Sequence, residues 1–396
     1  MQITDVRIYI EPGQPQQRPV SNRGGMEKVP PGLSGLFTHA EGMGQPAPLP
    51  QGWEEACHDP TFYPTFNATL RLVTDGPLDA YCTFASGFDQ GELLYQARHF
   101  KLNIGPLLLG VDAFDREYVF QRLWYTQRFY YTGRQVLDMV DRMLWDLFSR
   151  HARQPIYRLL GATREKIPAY RNYGGRSIDD MVAGAVQVKE EGYKGAKDHS
   201  YRGVQGNSDL AREVRAAVGD DFILLHDPVE SYTYDEAVKI GRVLEKYNFT
   251  WIEEPLQDYD MLGLQKLCAT LDLPVLALEW IGHLGGQPFQ TAPYLAWQAV
   301  DIARQRGIGI TGQVKQAQLA EAFDVEVHGG DPHVILSIAN DPLFETVGQG
   351  GRPAEEEVDC RGTAYIEDGY MSIAWNDRVP DEPDWERLQR NALGVV

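Results

Sequence analysis

Basic side chains are the scarce charge in this sequence: 37 Lys and Arg stand against 56 Asp and Glu, a formal net charge of −19 at pH 7. That excess of acid argues against nucleic acid or an anionic membrane surface as a partner. An anionic small molecule would need cations gathered locally in order to bind. Long apolar runs are missing as well; none approaches the roughly 18 residues that would span a bilayer. The stretch Met1 to Ile10 alternates like a strand and lacks the basic segment of a secretory leader. Cys57, Cys82, Cys268 and Cys360 lie far apart and make no metal-type cluster, which points to a reducing cytoplasm. Low-complexity tracts are absent.

What is present is hydrophobic material, 43% of 396 residues, enough for a large barrel with an added module. Between Gly195 and Glu279 four short apolar runs each end in ionisable residues: Lys197 and His199, then Asp227, then Glu253-Glu254-Pro255, then Glu279. The intervals from His199 to Asp227, Glu253 and Glu279 are 28, 26 and 26 residues. Helix-like segments, 209–218 and 235–247, lie between the runs. Strand, loop and helix at that period are βα units of a parallel sheet. The fold predicted is α/β, a (β/α) TIM-type barrel whose strands all deliver their C-terminal ends to one catalytic face.

The flanks suggest three parts. Residues 1–135 read as an α+β capping domain: a strand over 1–10, a hairpin over 67–85 turning at 74–76, and helices near 91–99 and 113–125. Within it, 11–64 is rich in Gly and Pro without periodicity, as a substrate lid would be. Residues 136–347 form the barrel, with a helix over 134–149 leading in, strands from about 167, at 299–303, at 325–328 and at 342–345, and a helix over 313–323. Residues 348–396 make a C-terminal segment returning toward the cap, with a strand near 370–375.

Asp227, Glu253 and Glu279 are hard oxygen donors from neighbouring strands, the set that Mg2+ takes while keeping positions open for substrate oxygens. Side chains alternate along a strand, so only one of Glu253 and Glu254 points into the barrel. Lys197 and His199 share a strand face: the ammonium is suited to hold a substrate carboxylate, the imidazole to move a proton. His328, two strands beyond Glu279, is expected across the mouth as a second proton-transfer group. Glu345, at the eighth-strand end, is a candidate hydrogen-bond donor to a developing oxyanion. His226 should face outward as a structural residue, and His283 and His333 fall in loops near the mouth and stay unassigned.

These residues resemble the enolase superfamily in its mandelate racemase-like branch, many of whose members dehydrate acid sugars. The match consists of Lys-x-His at 197–199, Asp227, Trp-Ile-Glu-Glu-Pro at 251–255, Glu279 and His328, with Met143 to Leu147 and Tyr157 to Gly161 leading in. The resemblance implies that Asp227, Glu253 and Glu279 bind Mg2+, that Lys197, His199 and His328 flank a sugar-acid substrate, and that the cap with its lid selects it. It also implies a cytoplasmic homo-oligomer. Dehydration to a 2-keto-3-deoxy acid is the activity expected. Epimerisation or cycloisomerisation through the same enediolate is the nearest alternative, and a non-catalytic metal-binding relative the next; a hydrolase would want more His ligands. Three departures stand out: Pro228-Val229 follows Asp227, the segment 301–307 is short, and no Asp stands at the sixth strand end to orient His328. Arg304 or Arg306 is the cation nearest that place.

Overall fold

Alternation is clearest in the N-terminal strands, and it is there that the chain makes its antiparallel sheet. The computed structural model describes residues 1–17, 62–130, 133–283, 288–346 and 350–396. Strand β1 (Ile3–Pro12) pairs with β4 (Phe66–Thr74), and β4 with β5 (Ala80–Gly87). Every second residue of β4 is buried, against the helices Gln90–His99, Arg116–Tyr130 and Gly133–Ala152. Ile3, Ile8, Leu70, Phe100, Phe120 and Leu144 form that core, and Ile308 enters it from the barrel side. Most of the expected lid, 11–64, lies outside the described residues. Its two ends are held together where β2 (Gln16–Gln17) pairs with β3 (Phe62–Tyr63).

Eight parallel strands follow: β6 (Lys166–Tyr173), β7 (Gly195–Asp198), β8 (Ile223–His226), β9 (Trp251–Glu253), β10 (Val275–Ala277), β11 (Ile302–Arg304), β12 (Glu326–His328) and β13 (Phe344–Glu345). Neighbours in sequence are neighbours in the sheet from β6 to β12, and β13 returns to pair with β6. Between β12 and β13 no ladder forms among the described residues, but Val327 N bonds Asn340 O at 2.8 Å across the gap. Tyr170, Leu225, Trp251, Leu276, Ile302 and Leu343 fill the interior. Outside, Ile252, Ala277 and Val327 meet the helix layer through Val188, Val214, Ile240, Leu267 and Ala320. Reciprocal capping boxes at Ser177 and Thr233 start two of these helices, Ile178–Glu190 and Tyr234–Lys246.

The sixth strand lies later than the apolar run 299–303 suggests. Ala299 N bonds Tyr294 O at 2.8 Å, so Ala299 and Val300 complete the turn after the helix Thr291–Ala296. The strand therefore ends on Arg304. Beyond the barrel, β14 (Thr363–Glu367) and β15 (Tyr370–Ala374) make a hairpin that pairs with the start of β6, and β16 (Gly394–Val395) adds to β1. Trp385 stacks on Tyr9, with ring centroids 6.0 Å apart. Among the described residues no helix is long and apolar enough to cross a membrane.

Candidate active site

Side chains two residues past an interior core position emerge at the C-terminal mouth. Leu225 is followed in this way by Asp227, Trp251 by Glu253 and Ile302 by Arg304. Glu279 reaches the mouth differently, through a left-handed turn at Leu278 (φ 86°). Val229, Glu230 and Glu254 also have positive φ, at 51°, 55° and 43°. Left-handed backbone at non-glycine residues costs about 1–3 kcal/mol each, most at a β-branched residue such as Val229. All four follow the acid-bearing strands β8, β9 and β10. Asp258 holds one of these turns, accepting from Leu278 N at 2.8 Å and Ile281 N at 2.9 Å.

Lys197 is buried, and its Nζ lies 3.1 Å from Asp227 Oδ2, 3.0 Å from Glu253 Oε2 and 3.0 Å from Glu345 Oε1. Burial works against its charge, but Glu253, Tyr170, Asp227 and Glu345 outweigh it and hold the ammonium well above its ordinary range. Arg304 is also buried. Its Nη1 lies 3.1 Å from Glu253 Oε1, its Nε 2.8 Å from Glu279 Oε2 and its Nη2 2.7 Å from Glu345 Oε2. Arg306 pairs with the other oxygen of Glu279. Burial raises the Glu279 carboxyl, but Arg304 and Arg306 overcome this and keep it at about 2.

Lys197, Asp227, Glu253 and Glu279 thus come to one mouth, joined by side-chain cations. Lys197 bridges Asp227 and Glu253, and Arg304 bridges Glu253 and Glu279. Among the described residues, the carboxylates whose oxygens lie within 4.8 Å of one another are Glu230, Glu254 and Asp258. Glu254 lies beside both groups. Burial, then Asp227, Glu279, Glu253 and Asp258, push its carboxyl up to about 10. Asp227, Glu253 and Glu279 do not make such a close group, because Lys197 and Arg304 lie between them, but both sets offer the hard oxygen donors that suit Mg2+.

The histidines separate by burial. His199 is 47% exposed at the mouth, with Nε2 3.4 Å from Asp227 Oδ2. His226 is buried between Asp198 (Nδ1, 2.9 Å) and Tyr232 (Nε2, 3.0 Å). His328 departs from its expected place across the mouth: it is fully buried beneath the charged layer, against Trp251. Its Nε2 is 2.8 Å from the Tyr170 hydroxyl and its Nδ1 3.3 Å from Asp341 Oδ1. The reason is Arg304. Its guanidinium lies against Gly329, where a Cβ would sit 2.8 Å from Cζ, and so covers the residue that follows His328. Glu345 departs too. Burial raises its carboxyl, but Lys197 and Arg304 hold it well below the usual range, so it accepts hydrogen bonds rather than donating one. His333 and His283 fall in short helices, Pro332–Ile335 and Glu279–His283, rather than in loops, and the His333 ring stacks on Tyr157.

Tyr170, Arg304, Asp258 and Asp341 are site residues that the strand-end pattern does not single out. Tyr170→Phe should lower stability by about 1–3 kcal/mol by leaving His328 Nε2 without its partner in a dry interior. Thermal unfolding measures that. An unchanged midpoint would mean that the hydroxyl contributes nothing there.

A parallel barrel with acids at its strand ends, beside an antiparallel sheet and helices, defines a class of enzymes working at the C-terminal mouth. Residues 180–383, just over half of the chain, match the family described as enolase C-terminal domain-like. The chain belongs to that family, and so to the enolase superfamily in its mandelate racemase-like branch. It is 33% identical to L-talarate/galactarate dehydratase of Salmonella typhimurium over 188 residues, 45% of this chain and 46% of the relative. The chain spans about half the length of the first sugar-acid dehydratases it matches. A 3,6-anhydro-α-L-galactonate cycloisomerase of Streptomyces coelicolor is 28% identical over 320 residues, 72% of this chain and 81% of that one. D-Glucarate dehydratase from Agrobacterium tumefaciens, solved in complex with magnesium, aligns at a TM-score of 0.71 and 25% identity over 100% of both chains.

Proposed function

We propose that the chain is a Mg2+-dependent lyase that removes the proton α to the carboxylate of a sugar acid and expels the β-hydroxyl, giving a 2-keto-3-deoxy acid. The observation that carries this reading is His199, half open at the mouth, beside Asp227 and above a buried Lys197. Asp227, Glu253 and Glu279 would hold Mg2+ with Glu254 beside them, and the ion when bound supplies Lewis-acid polarisation of the substrate carboxylate. Lys197 adds fixed positive charge where that carboxylate gains electron density as the Cα–H bond breaks.

His199 takes the proton, the role an accessible imidazole suits near neutral pH. His328, with both ring nitrogens engaged, is a positioning residue in this reading. The second proton transfer therefore falls to His199 as well: it returns its proton to the β-hydroxyl, which leaves as water from the same face. One C–H and one C–O bond break, a C=C bond forms, and the enol becomes the keto acid. Racemisation needs proton groups on both faces of one carbon, which His199 alone does not provide. Cycloisomerisation, in which a ring oxygen rather than a free hydroxyl departs, uses the same first step. It is the second reading, favoured by the cycloisomerase match over 72% of the chain.

A panel of mono- and diacid sugars with Mg2+, assayed for 2-keto acid in D2O, tests the proposal. A keto-deoxy product from at least one acid sugar supports dehydration, and keto acid from an anhydro sugar alone supports the second reading. Recovered acid carrying deuterium at Cα, with no keto acid, would replace both by epimerisation. The substrate is a small-molecule carboxylate, and the same reading places the enzyme in the cytoplasm as a homo-oligomer.

A further inference from the structure

The ion pairs at the mouth close on themselves. Glu253 joins Lys197 through Oε2 to Arg304 through Oε1, and Glu345 joins Lys197 through Oε1 to Arg304 through Oε2. Four alternating charges make a ring, with Asp227 attached at Lys197 and Glu279 at Arg304. The ring is built rather than incidental. Arg304 ends β11 level with His328 of β12, its carbonyl accepts from Gln316 Nε2 at 2.9 Å, and Gly329 (φ 85°) leaves the space its guanidinium fills. Arg304 therefore occupies the cation's place between Glu253 and Glu279, two of the three carboxylates assigned to the metal.

We infer that Arg304 is an internal counter-ion competing with the divalent metal: its guanidinium pairs with Glu253 and Glu279 and must withdraw from them for Mg2+ to bind there. Two cations cannot both take the same carboxylate oxygens at contact distance without repelling each other in a dry site. Metal binding is thereby coupled to withdrawal of a buried guanidinium from two carboxylates. Glu345, which pairs with Arg304 but is not among the assigned ligands, keeps hold of it as it moves. The inference rests on the Mg2+ reading above and deepens it by naming the residue the ion displaces.

Titration of Mg2+ into the metal-free protein by calorimetry, for the natural chain and for Arg304→Gln, decides the matter. Removing the competitor should tighten Mg2+ binding by about tenfold or more, and Arg304→Lys, which keeps the charge but cannot bridge two carboxylates, should tighten it less. Thermal midpoints give an independent readout: Arg304→Gln should melt earlier than the natural protein in chelator and gain more from saturating Mg2+. Equal or weaker Mg2+ binding by Arg304→Gln overturns the competition while leaving the metal reading intact. Failure of the natural chain and both variants to bind Mg2+ overturns the metal reading, and the competition with it. Should Arg304→Gln not fold, Arg304→Lys alone carries the test, and affinity equal to that of the natural chain overturns the inference.

Discussion

His199→Asn is expected to lower turnover by about 10²–10⁴-fold, the usual worth of a positioned acid–base group, with little effect on folding or on Mg2+ binding. The side chain is 47% exposed and its nearest charged neighbour is Asp227, at 3.4 Å, so its loss neither opens a cavity nor strips a carboxylate of its main cation. Asn preserves the polarity and roughly the size of the ring without a group that can carry the proton. The comparison that gives the result meaning is His328→Asn. His328 is fully buried, and its nitrogens face Tyr170 and Asp341. Its loss should appear first in the melting temperature. Steady-state rates on an acid sugar, α-proton exchange in D2O and unfolding curves for both variants separate the two roles. If His199→Asn kept full exchange while His328→Asn lost it with an unchanged melting point, the single-histidine mechanism would be wrong.

The barrel was legible because its period is covalent. Intervals of 28, 26 and 26 residues between strand-end charges leave room for one helix and two loops each, and a parallel sheet of such units brings those charges to one face. The sixth strand was harder to read, for a local reason. Ala299-Val300 looks like the start of a strand but is consumed by a turn, and a slip of that kind changes which side chains face inward. With the strand read over 299–303, Arg304 is a loop residue; with it at Ile302–Arg304, it is the last interior position. The partner of His328 was hidden for another reason. Asp341 comes from the connection into β13, 13 residues along, where no periodicity points to it. The β14–β15 hairpin did carry a signal: Asp368-Gly369, both left-handed (φ 53° and 74°), is a two-residue hairpin turn between strand-like runs. Polar composition around it masked the alternation.

Nor did the sequence distinguish the charges that hold the site together from those that act in it. Lys197 reads as a group for the substrate carboxylate and Arg304 as a cation near the sixth strand end, yet each is buried and contacts three carboxylates. Only packing makes such a group structural and chemical at once, because removing it strands the charges it served. His199 has no such burden, and its exposure at the mouth suits the proton-transfer role proposed for it.

Lys197→Met should destabilise the metal-free protein by about 3–5 kcal/mol, the cost of breaking a buried ion pair from one side, and should abolish turnover as well. Methionine fills a similar volume, so the loss is electrostatic: the buried Asp227 and Glu253 and the partly buried Glu345 are left with one cation fewer. The pH dependence identifies the cause. In the natural protein burial raises the Glu345 carboxyl, but Lys197 and Arg304 hold it well below 4.5. A depressed carboxyl contributes stability above its unfolded pKa, and that stability is lost as pH falls through the folded value. Lys197 itself is raised well above 10.5, so its own contribution is intact below that and is lost only at more alkaline pH. The gap between natural and variant proteins should therefore be widest at neutral and mildly alkaline pH and should narrow as pH falls toward about 4, as the stranded carboxyls take up protons. Denaturant unfolding in chelator at pH 7 and pH 4 measures the gap directly. A gap that is the same at both pH values would mean that Lys197 is held for its packing, and the ring of charges would then be no more than a pattern of contacts.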